Sequence, residues 1–367
     1  MNIAISAIRT KNIRINRHEL VTTLKDLGHN VYYIGQESSD VLHPDYKKYN
    51  VKFLSIPIQR TNTNPFKEII SILKTRRVLK NNNIDILIAY GIRTFPTMVT
   101  AAKMAGVKKI LCIVNGSGRL FQLNGLKGIV VKSISYPMLC LSFSISNKVL
   151  IQNSDDFVLL RNKKLLIKKN FDIVNGSGVN LNEFQTSNLP HKPIFSMISR
   201  LTESKGVNEY IQAAFKVKEK HPQAKFLLIG PMDDNNNIDR RLLKKAIVEN
   251  VIIHKGRVDD VRPYIDQARV FVLPSYYPEG IPRSILEAMA MGRAIITTDS
   301  PGCKETVQNG RNGFKIPIKN SKVLSEKMIW MIEHPEEVEK MGKESRRIAE
   351  EKFNVYKINQ KIIDSIL

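Results

Sequence analysis

Residues 276–303 read YYPEGIPRSILEAMAMGRAIITTDSPGC, and the rest of the chain is best read outward from them. Pro282 suits the first turn of a helix, where a missing N–H would be unpaired in any case, and Gly292 suits the position just past the end. The spacing predicts a helix over 282–291. Its first turn, 281–285, leaves backbone N–H groups free and aims the positive end of the helix dipole forward, which favours phosphate. Glu279 stands in the loop just before that end, and Glu287 lies two turns into the helix. Taken singly, each acid has an ordinary explanation: a dipole partner for the first, a solvated helix face for the second. Apolar stretches at 270–274 and 294–297 flank the helix. Short buried strands alternating with helices mark a parallel α/β sheet, whose ligands collect at the carboxyl ends of its strands. Both acids fall there.

Donors for a diphosphate, with carboxylates on either side to accept from hydroxyls, are what a nucleotide sugar requires. Residues 199–206, SRLTESKG, add two cations on the same edge, Arg200 at a strand end and Lys205 at the next helix start. Arginine forks onto phosphate oxygens, while lysine supplies a movable point charge.

The segment 277–290, YPEGIPRSILEAMA, resembles the E-x7-E signature of family 4 glycosyltransferases, and 200–206 matches that family's R-x4-K-G. The resemblance implies an α/β GT-B fold: two Rossmann-like doubly wound domains with the donor site in the cleft between them. It implies Arg200 and Lys205 as a diphosphate clamp, Glu287 on the ribose diol and Glu279 beside the donor sugar, so that Arg200, Lys205 and Glu279 are the catalytic set. Gly280, Ile281, Pro282 and Arg283 would line the same nucleotide-sugar site. Val258, in Gly256-Arg257-Val258, falls where relatives contact the base through backbone groups. Such enzymes retain anomeric configuration and work without a bound metal or other cofactor.

The amino-terminal half carries sparser signals. Strands are expected at 2–7, 29–35, 84–89, 109–114, 148–152 and 171–174, with a helix over 17–27 closed by Gly28. The loop 8–16 is basic and lacks the glycines that approach donor phosphates in the wider family. Ile15-Asn16-Arg17 is similar to an N-x-R-like element of relatives that act on polyprenyl-diphosphate sugars; a surface arginine at a helix start explains Arg17 equally well. Residues 115–121, NGSGRLF, resemble the G-x-G-x-x-F loop of the capsule and O-antigen branch. Many members place a histidine near that loop, and this chain offers Asn115. Arg17, Asn115, Gly116 and Gly118 are the residues so assigned to the acceptor or transferred-sugar side. Asn153 with Asp155 and Asp156 reads as a helix cap.

The boundary is expected at the Gly-rich stretch near 175–180 and the polar segment after it, giving an acceptor-side domain over 1–185 and a nucleotide-sugar domain over 186–350. Residues 351–367 are expected to form a helix returning to the first domain. In the second, strands are expected at 194–199, 225–230, 251–254, 270–273 and 294–297. Asp233 and Asp234 follow a Gly-Pro turn without metal-type spacing and read as a solvated loop.

The formal net charge is +23 over 367 residues, with roughly +16 of the excess before residue 185. An anionic membrane surface, a phosphorylated lipid or nucleic acid would each satisfy it. Three scattered cysteines, Cys112, Cys140 and Cys303, show no metal spacing and fit a reducing compartment. The apolar run 129–145 contains Lys132 and Pro137 and reads as too short and too polar to span a bilayer. Together with the resemblance, these features lead to the expectation of a retaining enzyme on the cytoplasmic face of the cell membrane, peripherally attached. It would move a hexose or N-acetylhexosamine from a UDP-sugar to a polyprenyl-diphosphate-linked saccharide. A sugar-nucleotide 2-epimerase of the same architecture would need histidines near the donor sugar, and none of the seven stands in a clear motif. A basic nucleic-acid-binding GT-B protein would interleave cations with exposed aromatics, whereas 163–169, KKLLIKK, has an apolar interior. No nucleic-acid partner is expected.

Overall fold

The computed structural model describes residues 1–6, 17–36, 49–57, 65–168, 170–232, 237–277 and 279–367. The chain divides into two compact units, one comprising Met1–Ser177 with Val355–Leu367 and the other Gly178–Asn354.

In the first unit, β1 (Asn2–Ser6), β2 (Asn30–Gly35), β3 (Lys52–Ser55), β4 (Ile86–Tyr90), β5 (Lys109–Val114), β6 (Lys148–Ile151) and β7 (Phe171–Ile173) form a parallel sheet in the order β3-β2-β1-β4-β5-β6-β7. The run ILIAY of β4 is buried at every position because successive side chains enter opposite cores. Leu87 and Ala89 join helices Phe95–Ala105 and Gly125–Ile145 on one face. Ile86, Ile88 and Tyr90 join helices His18–Asp26 and Val355–Asp364 on the other. The second of these returns after the whole second unit. Its Ile358, Ile362 and Ile363 fill that core, and Lys361 Nζ donates to the Ile173 carbonyl at 2.8 Å.

The second unit repeats the plan. Strands β8 (Ile194–Ile198), β9 (Lys225–Ile229), β10 (Ile253–Lys255), β11 (Val270–Leu273), β12 (Ala294–Thr298) and β13 (Gly313–Ile316) run parallel in the order β10-β9-β8-β11-β12-β13. The fold is GT-B, α/β throughout. Strand order reverses between β1 and β4 and again between β8 and β11, and ligands of such sheets bind outside the carboxyl ends at these switch points.

Several details differ from the sequence reading. Strands β3 and β13 were not anticipated; both lie at sheet edges, where a strand is short and lacks a neighbour on one side. The division falls after Ser177 rather than 185 because Val179 and Phe184 are buried in the second core, with the Val179 N–H donating to the Phe353 carbonyl at 2.8 Å. Pro137 does not interrupt the apolar run: helix Gly125–Ile145 continues through it for 21 residues and, within it, Gly128–Ile145 is long and apolar enough to cross a membrane by length and composition. Leu139 and Phe143 nevertheless pack into the first unit's core. Ile15, Asn16, Asp233 and Asp234 lie outside the described residues.

Candidate active site

At the second switch point two glycines fix the loops before any side chain acts. Gly206 (φ +77°) ends the turn Glu203–Lys205, and a Cβ there would stand 2.2 Å from the Pro274 carbonyl oxygen. At Gly302 (φ +80°) a Cβ would likewise stand 2.2 Å from the Gly280 carbonyl oxygen. Both contacts are backbone on backbone, so neither position admits a side chain without displacing the loop. The loop after β8 is thereby pressed onto the end of β11, and the loop after β12 onto Glu279 and Gly280.

Ser275 joins these loops. The Ser204 carbonyl accepts from the backbone N–H groups of Tyr276 (2.9 Å) and Tyr277 (3.1 Å) and faces Ser275 Oγ at 3.3 Å. The single proton of Ser275 Oγ is shared between that carbonyl and Glu279 Oε1, 3.2 Å away. The Ser275 carbonyl in turn accepts from Ser300 Oγ (2.8 Å) and from Thr298 Oγ1. Glu279 completes the knot by pairing with Lys205 Nζ. Cys303 is buried beside it, its thiol pushed up to about 11 by burial and then by the Glu279 charge.

Helix Arg283–Ala290 follows. Pro282 is its N-cap rather than its first helical residue, since its ψ of 120° is extended; its carbonyl accepts from the Ile285 N–H at 3.1 Å. Gly292 (φ +78°) lies just past the end. Glu287 is buried and accepts from Arg283 Nε at 2.8 Å, one turn earlier. Burial raises its pKa; Arg283 opposes the rise, and the charges of Glu183 and Asp260 reinforce it. Val258, in the loop after β10, packs against the second unit's core.

The structure thus brings Lys205, Glu279, Gly280, Ile281, Pro282, Arg283 and Glu287 to one edge. Arg200 stands exposed at the end of β8, its backbone set by Gly230, whose Cβ would lie 1.8 Å from the Ser199 carbonyl oxygen. Each carboxylate has its own cation. A phosphate placed before this edge would compete with Glu279 for Lys205 and leave the carboxylate to accept from hydroxyls. Ser275 and Gly302 were missed by the sequence reading, which named Gly206 only as the end of the R-x4-K-G run; the serine immediately after a Leu-Pro strand end was the available signal.

The first switch point gathers different chemistry. The Arg17 guanidinium lies 4.0 Å from the centre of the Tyr90 ring at the end of β4. Gly91 (φ +87°) follows, and a Cβ on it would stand 3.8 Å from Asn115 Oδ1. Asn115 is exposed at the end of β5, and Gly116 (φ 117°) and Gly118 (φ 66°) turn the next loop. Between them the Ser117 N–H donates to Asp156 Oδ1 at 3.1 Å. Asn153 caps helix Ser154–Asn162, its Oδ1 accepting from the Asp156 N–H at 2.7 Å. Asp156, read as part of a cap, also anchors the glycine loop; its pKa is raised by burial against these hydrogen bonds.

Residues 180–348 match the model of glycosyl transferases group 1. The chain is a glycosyltransferase. The matched segment lies within the second unit, the one that carries the Glu279 and Glu287 edge. This glycosyltransferase is 28% identical over 331 residues to N,N'-diacetylbacillosaminyl-diphospho-undecaprenol alpha-1,3-N-acetylgalactosaminyltransferase of Campylobacter jejuni, covering 86% of this chain and 85% of the relative. It is 23% identical to UDP-Gal:alpha-D-GlcNAc-diphosphoundecaprenol alpha-1,3-galactosyltransferase of Escherichia coli, covering 87% and 84% of the two chains. The crystal structure of Anabaena HepE in complex with UDP and glucose superposes with a TM-score of 0.79 at 16% identity, covering 100% of this chain and 99% of that one, and so supports the fold.

Proposed function

We propose that this glycosyltransferase moves a hexose or N-acetylhexosamine from a UDP-sugar to a polyprenyl-diphosphate-linked saccharide, with retention of configuration. The observation that carries the reading is the pairing of Lys205 with Glu279 and of Arg283 with Glu287 on the switch-point edge of the second sheet. Two relatives that span most of this chain have names specifying diphospho-undecaprenol acceptors, and one of those names specifies UDP-Gal.

In this reading Lys205 and Arg200 hold the donor diphosphate, Glu287 accepts from the ribose diol, and Glu279 accepts from a donor-sugar hydroxyl. Backbone groups of Gly280 and Ile281 line the diphosphate, and the loop carrying Val258 meets the base. As the glycosidic bond breaks, negative charge grows on the departing diphosphate, and fixed cations with the dipole of helix Arg283–Ala290 stabilise it without rearrangement. A diphosphate oxygen takes the acceptor proton, so no side chain serves as general base. Neutralisation by Lys205 and Arg200 makes a resident metal unnecessary in this scheme. Arg17, Asn115, Gly116 and Gly118 would meet the acceptor or the transferred sugar, with the enzyme working peripherally at the cytoplasmic face of the membrane.

Calorimetry with UDP tests the clamp. Lys205→Ala and Arg200→Ala should each weaken binding by about 1.5–3 kcal/mol, the scale of a hydrogen bond to a charged group. Unchanged UDP affinity in both variants would overturn the assignment.

A further inference from the structure

Helix Gly125–Ile145 presents the wrong face to water. Leu126, Ile129, Val130, Ile134 and Leu141 are exposed, the first by 85% and Ile129 and Ile134 by 65% and 61%. Ser133 and Pro137 are exposed between them, so positions 126, 129, 130, 133, 134, 137 and 141 form one stripe at helical spacing. Twenty-one residues at 1.5 Å each make the stripe's helix about 30 Å long.

A second helix, Pro65–Asn81, does the same over its first half. Phe66 (75% exposed), Ile69, Ile70 and Leu73 follow the i, i+3, i+4, i+7 pattern on its outer side, while Ser71 and Thr75 are buried. Both helices pack on helix Phe95–Ala105, so they belong to one helical layer of the first unit.

Charge selects the occupant. Between Asp85 and Asp155 the chain carries no acidic side chain, whereas lysine and arginine recur throughout that stretch. Glu68, the acid of helix Pro65–Asn81, is turned inward and accepts from Thr97 Oγ1. At the carboxyl end of helix Gly125–Ile145, Lys168 Nζ donates to the Ser144 carbonyl at 2.5 Å, which ties exposed Ile167 to the same layer. A protein partner would be expected to meet this surface with an apolar patch of its own. An apolar stripe on helices that carry lysine and arginine, and whose one carboxylate among the described residues is turned inward, fits acyl chains beneath anionic headgroups.

We infer that helices Gly125–Ile145 and Pro65–Asn81 insert their exposed apolar stripes into the interface of an anionic lipid leaflet, lying in its plane, and that apolar burial rather than charge holds the enzyme there. The choice of a lipid leaflet also rests on the proposed lipid-linked acceptor; the surface itself does not. The inference changes what salt should do. Charge adsorption fades as the screening length shrinks to about 3 Å near 1 M salt, whereas apolar insertion persists.

Vesicles of phosphatidylglycerol and phosphatidylethanolamine provide the test, with full-length protein and UDP affinity measured in parallel. The unaltered enzyme should remain on vesicles at about 1 M salt. Ile129→Asp with Ile134→Asp should lower partitioning roughly tenfold or more per residue, given that burying one large aliphatic side chain is worth about 1.5–3 kcal/mol. Thermal melting and UDP affinity should not change, since both side chains face solvent. Ile134→Trp should be quenched by brominated acyl chains, with Trp330, the only other tryptophan, as background. Complete release of the unaltered enzyme at high salt would overturn the inference in favour of charge adsorption. A dimer that the double substitution converts to monomer, with vesicle binding unaffected, would assign the surface to a second copy. Loss of vesicle binding beside intact UDP binding separates failure of this surface from failure of the glycosyltransfer reading.

Discussion

The two sheets follow the same order through six strands, yet the loops at their switch points are held by different means. Around β8 and β11 the backbone is packed against backbone at Gly206 and Gly302, and charge is distributed as two carboxylate–cation pairs. At the ends of β4 and β5 the contacts are made by side chains: Arg17 over Tyr90, and Asp156 reaching to the Ser117 N–H. Topology fixes where a ligand can sit. What it can be is decided by how tightly the loops are set and what charge they hold. An edge with steric stops suits one invariant group such as a diphosphate, and an edge held by side chains suits a more variable one.

The glycines give the sharpest test. Gly302→Ala combines a left-handed backbone with a carbonyl oxygen 2.2 Å from the new Cβ, and should destabilise the second unit by about 2–5 kcal/mol, summing the conformational and overpacking terms. Gly118→Ala has a left-handed φ but open space around it and should cost the first unit only about 1–2 kcal/mol. Denaturant unfolding of the two variants compares them directly; equal losses would mean the edges are not held differently.

Next in size is the division of labour between the acids. Loss of Glu287 should weaken UDP by about 1.5–3 kcal/mol, the cost of a charged hydrogen bond, whereas Glu279→Gln should spare UDP and lower turnover of the sugar donor. Should the two variants bind UDP equally poorly, their roles are misassigned.

Glu287 also makes a pH prediction. Its folded-state pKa is raised by burial, so the native state holds the proton more tightly than the unfolded chain and the ionised residue opposes folding. That cost is complete above the native pKa and disappears as pH falls below the ordinary carboxylate value. Glu287→Gln should melt higher than the parent at neutral pH, the gap closing in acid. A variant that melts lower than the parent at neutral pH, with that deficit closing in acid, would place the stabilising influence of Arg283 above the burial penalty.

The smallest effect belongs to the first edge. Arg17→Lys should cost about 0.5–1 kcal/mol of stability through the lost stacking on Tyr90 and leave UDP affinity alone, while Asn115→Ala should lower transfer but not UDP binding. A drop in UDP affinity in either would erase the distinction between the two edges.

Sequence alone showed the second edge far better than the first. Strands β11 and β12 are buried on both faces and read as continuous apolar runs, and the helix between them is bracketed by Pro282 and Gly292. Strand β3 lacked that signal because an edge strand needs only partial burial, as its exposed ends show; β13 is largely buried, but its four residues GFKI offer only two large apolar side chains to mark a strand. Ser275 and Gly302 stayed hidden for another reason. Their importance lies in contacts with Ser204 and Gly280, and the spacing between such residues carries no periodic mark. The segment after Ser177 looked like a linker because its glycines are local and visible, whereas the burial of Val179 depends on Phe353, which is remote in sequence.

That last contact also bears on how the protein is made. Val179 and Asn354 are bridged, so the second unit enters and leaves through one doorway and is, in topology, a cassette inserted into the first. During synthesis the core containing Ile3, Ile5 and Leu20 must wait for Ile358, Ile362 and Ile363, which emerge only after the whole cassette has been translated. The amino-terminal unit therefore completes its packing last, and a chain stalled before Val355 would carry an unfinished hydrophobic face for quality control to recognise.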